Sequence, residues 1–285
     1  MKWLIELIKS LFSKKKIEEP VIEKDDDIDA TENLDNEDEN VDEIVAIIEE
    51  ETNKEKEEDS SVIASCPEYK QYPNLVVCLD NGHGANTPGK CSPWVASKVK
   101  PELYFREYKF AREIVSLVKE GLEKYGVEVY IVCPEENEIS LTKRYTRANT
   151  KKINDRNPDK NYLFISVHSN AIGNGTKWMN ASGWSAWTTK GQNNSDKLAN
   201  CLYEIADEVL PKLGQSVRKD ASDKDPDYES NFTVIYGANM PAVLTENMFQ
   251  DNIEDVKFML SDEGKAAIAD IHIRGIIKYA EKYLK

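Results

Sequence analysis

The chain is poor in the residues on which several common chemistries depend. It holds three histidines and five cysteines in 285 residues. Cys66, Cys78, Cys91, Cys133 and Cys201 are odd in number, and no two form a CxxC pair. That argues against a disulfide framework and against a cysteine zinc ribbon. Cys78 and Cys133 lie inside apolar runs and read as core residues. No internal repeat is visible, so the chain is not a tandem array. A basic stripe is also missing. Residues 1–60 hold 8 lysines and 22 acidic residues, which leaves 29 basic and 30 acidic residues for the rest. The N-terminal arm therefore carries −14 of the net charge of −15. A near-neutral remainder offers nothing to neutralise phosphates, and nucleic acid is excluded as a partner.

The arm has two parts. In "MKWLIELIKSLFSKKK" (1–16), Leu4, Leu7, Ile8, Leu11 and Phe12 recur at helical spacing before three lysines. The stretch is too short to span a bilayer and has no small-residue cleavage site. It reads as a basic amphipathic helix, suited either to an anionic membrane surface or to docking on a partner. The acidic segment 17–69 has one apolar island, Ile44–Ile48. It cannot bury enough apolar surface to offset its chain entropy, and disorder is expected.

From residue 70 onward, strand and helix patterns alternate. Leu75–Leu79, Val127–Cys133, Tyr162–Val167, Gly183–Thr189, Phe232–Tyr236 and Ala242–Glu246 read as strands. Helical stripes run from Glu107 to Lys124, from Ser140 to Asn154, from a Ser195 cap to about Leu210, and from about Glu263 to Tyr283. The expected fold is α/β: a mixed, mostly parallel central sheet with helices on both faces. Ligands in such folds sit at the carboxyl ends of strands. His83, His168 and Glu246 each fall at or just after a strand end.

His83 stands between Gly82 and Gly84, which let the backbone turn sharply and come close to a bound group. His168 closes the apolar run "YLFISV". Two histidines and one carboxylate form a common zinc-ligand set. Glu107, at the head of a helix, and Glu102, in a loop, are the candidates for the third ligand; Glu113 is expected to face solvent. Glu246 ends "AVLT", where a carboxylate is costly unless paired or used as a proton acceptor. His272 falls among isoleucines and suggests no role. Trp184 and Trp187 read as core or sheet-face residues.

Taken together, these segments resemble the zinc-dependent N-acetylmuramoyl-L-alanine amidases of the amidase-3 type. The resemblance covers about 75–285. It rests on "DNGHG" (Asp80–Gly84), Glu107 with Gly126, and Ser140, Leu141, Arg144, Ala148 and Asn149. It continues through "FISVHSNA" (Phe164–Ala171) and "MPAVLTE" (Met240–Glu246). Asn81 replaces the more usual proline, and "ANTPGKCSPWVASKVKPELYF" lengthens the segment before Glu107. The resemblance implies one Zn2+ held by His83, Glu107 and His168, with Glu246 as the catalytic acid/base. It implies peptidoglycan as partner, with cleavage of the amide between N-acetylmuramic acid and L-alanine. Asn170 and Arg144 are candidates for substrate contact, and Arg144 reads equally as a buried tie between helix and sheet. The segment after His83 is expected to form one wall of the substrate groove. Rival readings are a zinc carboxypeptidase-like amidohydrolase and a catalytically silent wall-binding protein. The arm is expected to hold the enzyme at a membrane surface until the wall is attacked.

Overall fold

The computed structural model describes residues 69–93, 101–220, 222 and 224–284. The expectations for 1–16, for nearly all of 17–69, and for residues 94–100 of the expected groove wall lie outside the described residues. Among the described residues no helix is long and apolar enough to cross a membrane.

Strand β1 (Leu75–Asn81) is buried along its whole length. Its β-branched and apolar residues alternate between two cores: Val77 and Leu79 enter one, Val76 and Cys78 the other. A strand covered on both faces must read as a continuous apolar run, and such strands belong to parallel sheets. Accordingly β1 pairs in parallel with β2 (Glu128–Ile131) and with β3 (Asn161–Asn170). Strand β6 (Ala242–Phe249) lies parallel on the far side of β3. Next comes β4 (Ser185–Thr188), antiparallel to β6, then β5 (Tyr228–Glu229) at the edge. The six-stranded order is β2-β1-β3-β6-β4-β5.

Helices cover both faces. On one side α1 (Glu107–Glu123), α3 (Asn194–Val209), α5 (Ile253–Leu260) and α6 (Asp262–Tyr283) close the larger core. On the other, α2 (Leu141–Asp155) and the single turn α4 (Thr233–Tyr236) close the smaller one. The mixed, mostly parallel architecture is as expected from the sequence.

Two local expectations are corrected. "FTVIY" is not a strand. Four apolar residues fit one helical turn as well as a strand, and periodicity cannot separate the two. Here the Phe232 carbonyl accepts from the amides of Ile235 and Tyr236, burying Val234 and Ile235 and exposing Tyr236. The cap of α3 is Asn193, which forms a capping box with Asp196. Ser195 is spent elsewhere: its hydroxyl accepts from the Ala242 amide and ties α3 to β6. Ser140 does cap α2, accepting from the Lys143 amide.

Candidate active site

Parallel pairing of β3 with β6 sets His168 directly opposite Glu246. Both reach the carboxyl edge of the sheet, where the β1 loop delivers His83. The turn falls on His83 itself, at φ 59°, rather than on its glycines. A left-handed non-glycine residue costs about 1 kcal/mol. The glycines serve close approach instead. A Cβ on Gly82 would come within 2.4–2.7 Å of the His168 ring, and one on Gly84 would come within 1.9 Å of the Glu138 amide nitrogen.

Glu107 is the first residue of α1 and is fully buried. A carboxylate in the first helical turn is favoured by the exposed amides there. Its Oε1 lies 3.0 Å from His168 Nδ1 and 3.5 Å from His83 Nε2, and accepts from the Ser169 amide at 3.0 Å. Glu102 sits in an exposed 3-10 turn, and Glu113 pairs with Lys265 at 2.8 Å instead of facing only solvent. Of the three glutamates weighed from the sequence, Glu107 is therefore the one that meets both histidines.

Ligand atoms of His83, Glu107 and His168 all lie within 4.8 Å of one another. Atoms about 2 Å from a shared zinc would sit roughly 3–3.5 Å apart, and the two Glu107–histidine distances, 3.0 and 3.5 Å, fall in that range. Among the described residues Glu107 Oε2 is buried with no hydrogen-bond partner, and Lys90 Nζ lies 3.8 Å away. An orphaned carboxylate oxygen beside two imidazoles fits a divalent ion with mixed nitrogen and oxygen preference.

The electrostatics of these groups follow from burial and from their mutual contacts. Burial pushes the His83 imidazole down to about 4, which keeps it neutral. Burial works against the charged forms of Glu107 and His168 too. Their mutual contact outweighs it, so the carboxyl is held low and the imidazole is held high. Burial also acts on Glu246, opposed by His168 and reinforced by Glu107, and its carboxyl is pushed up to about 7. Its Oε2 is buried without a hydrogen-bond partner among the described residues.

The remaining candidates separate. Asn170 closes β3, partly exposed, with its Oδ1 accepting from the Ala171 amide. Arg144 is 1% exposed. It reaches Asp80 Oδ1 and Glu138 Oε1 at 2.6 Å each, so of its two readings the buried tie is the one realised. Trp184 is core and donates to Asn247 Oδ1 at 2.9 Å. Trp187 stacks on Tyr228. Several contributors escaped sequence reasoning. Glu138 approaches His83 Nδ1 at 3.5 Å, Ser166 Oγ lies 3.1 Å from His168 Nε2, and Asn247 Nδ2 donates to the His168 carbonyl. His272 bonds Thr245 Oγ1 at 3.0 Å and the Ile268 carbonyl at 2.7 Å, which ties α6 to β6 next to Glu246. Only Ser166 carried a signal, as a hydroxyl within a buried apolar strand.

Fold and site together define a class: an α/β protein with a two-histidine, one-glutamate group at the carboxyl edge of its sheet and a second glutamate opposite. The family model of the N-acetylmuramoyl-L-alanine amidases (amidase-3) matches residues 77–278, and the chain belongs to that family. The endolysin of Bacillus phage SPP1 is 30% identical over 204 residues, covering 70% of this chain and 64% of that one. The amidase AmiC of Neisseria meningitidis is 24% identical over 234 residues, covering 72% of this chain and 52% of that one. The chain thus spans between about half and two thirds of the curated relatives it matches. Among solved structures, an N-acetylmuramoyl-L-alanine amidase from Clostridium difficile 630 superposes with a TM-score of 0.59. It is 22% identical and covers 74% of this chain and 100% of that one, which shows a shared fold.

Proposed function

We propose that the protein hydrolyses the amide joining the lactyl group of N-acetylmuramic acid to L-alanine in peptidoglycan. One observation carries this reading: Glu246, with its raised carboxyl, stands opposite His168 in a group of two imidazoles and a carboxylate. Family membership supplies the substrate class. His83, Glu107 and His168 would hold one zinc ion. When bound, zinc supplies Lewis acidity, polarising the amide carbonyl and making water a usable nucleophile near neutral pH.

The protein's own groups do the rest. Glu246 as carboxylate accepts a proton from the attacking water. Water oxygen bonds to the carbonyl carbon, the C–N bond breaks, and the proton passes from Glu246 to the leaving nitrogen. The products are a lactyl carboxylic acid and a free L-alanine amine. Neutral His83 would keep a lone pair for such an ion, and Glu107 would balance part of its charge. Asn170, partly exposed at the strand end, would meet substrate.

Digestion of purified cell walls, followed by mass spectrometry of the muropeptides with and without a chelator, tests the reading. Release of new L-alanine amino termini, abolished by the chelator, is the expected result. Release of a terminal amino acid would favour a carboxypeptidase, and no release would favour a silent wall-binding protein. We further propose that the basic, apolar stretch 1–16 binds anionic membrane surface, which its composition supports.

A further inference from the structure

Each histidine of the site turns one nitrogen towards Glu107 and the other away from it. The outward nitrogens meet two different polar chains. His168 Nε2 lies 3.1 Å from Ser166 Oγ, and Ser166 Oγ donates to Asp80 Oδ2 at 2.7 Å. The hydroxyl has one proton, already committed to Asp80, so it must accept from His168 Nε2–H. That leaves the lone pair of His168 on Nδ1, facing Glu107 and the site. His83 Nδ1 lies 3.5 Å from Glu138 Oε2. That oxygen is held by the Thr87 hydroxyl at 2.5 Å, while the same Thr87 oxygen accepts from the Gly84 amide. A proton on His83 Nδ1 faces a carboxylate, which leaves the lone pair on Nε2.

The two chains are joined. Arg144 Nη1 donates to Asp80 Oδ1 and Arg144 Nη2 to Glu138 Oε1, each at 2.6 Å. A single buried guanidinium therefore closes a path from one imidazole to the other through Glu138, Arg144, Asp80 and Ser166. Its planar fork spans two carboxylates at fixed geometry, which a lysine cannot do. We infer that Arg144, with Glu138 and Asp80, is a positioning device that fixes the tautomer and ring orientation of both metal-binding histidines at once. Outer-sphere partners of this kind typically change metal affinity by about 10- to 100-fold when removed.

The inference rests on the zinc assignment above, and its test separates the two. Zinc affinity is measured by competition with a chromophoric chelator, beside the visible spectrum of the cobalt-substituted protein and the thermal midpoint of the metal-free protein. The variants are Glu138→Gln, Ser166→Ala, their double, Thr87→Val and Thr87→Ser. They leave the buried Arg144 in place, and Glu138 is part-exposed, at 31% of its side chain. The first two variants should each weaken zinc binding about tenfold or more and alter the cobalt spectrum. Thr87→Val should move in the same direction, and Thr87→Ser should restore the parent value. Because Arg144 is shared, the double variant should depart from the product of the singles by about twofold or more. KM for soluble muropeptides should change less than kcat. Zinc affinities within about twofold of the parent would overturn the inference, as would a purely multiplicative double variant, which would leave Arg144 no linking role. A parent protein that takes up no zinc would instead refute the metal assignment itself.

Discussion

At the scale of single residues, the site depends on two side chains meeting where one backbone lacks a side chain. Glu246 is the only member of the site assigned to proton transfer. Glu246→Gln should lower turnover by about 10^2- to 10^4-fold while zinc content by metal analysis stays at the parent level. Gly82→Ala tests a different point. Its Cβ would fall 2.4 Å from His168 Cε1, so the ring must move. Zinc stoichiometry should drop together with activity, which Glu246→Gln should not show. His83, Glu107, His168 and Glu246 were legible in the sequence because each breaks a local pattern. Two close apolar runs of strand length, although β3 and β6 continue past them, one opens a helical stripe, and one is flanked by glycines. Glu138 was not legible. It lies in a polar loop where a glutamate is unremarkable, and only the fold brings it to His83.

At the scale of elements, strands covered on both faces announced themselves, because double burial demands uninterrupted apolar residues. Short or one-sided elements did not. The two-residue β5 carries no pattern, and α4 is too short for its period to differ from a strand's. The corner formed by β4, β5 and the start of α3 also gathers charge. Thr188 Oγ1 lies 3.1 Å from Asp196 Oδ1 and 2.6 Å from Asp227 Oδ2, and both carboxylates stand beside Asp225. Burial, then the neighbouring carboxylates acting against the Thr188 bond, push the Asp227 carboxyl up to about 7. A folded value above the unfolded one means that folding takes up a proton between the two. The stabilisation is complete below about pH 4 and is lost as the pH rises to about 7. Thermal midpoints should therefore fall across this range, and Asp227→Asn should flatten that part of the profile. An unchanged slope in the variant would refute the assignment.

At the scale of the whole molecule, charge and chemistry occupy separate parts of the chain. The acidic surplus lies in residues 1–60, and the four residues proposed for metal binding and proton transfer lie between His83 and Glu246. A protein lacking residues 1–68 should therefore cut soluble muropeptides as the full chain does, yet fail to co-sediment with anionic vesicles. Equal sedimentation of the two would remove the membrane role proposed for 1–16. The composition made this division visible at once, whereas the antiparallel placement of β4 against β6 required the fold.

The spacing of the ligands also has a consequence for how the ion is acquired. His168 and Glu107 are 61 residues apart in the chain and meet only through packing of α1 on the paired strands β1 and β3. An unfolded chain has no local cluster with which to capture the proposed zinc, so loading would follow assembly of the sheet. The ion is then a late passenger rather than a folding nucleus. Stripping it should leave a native-like apoprotein, and simple re-addition should restore activity without a cycle of denaturation.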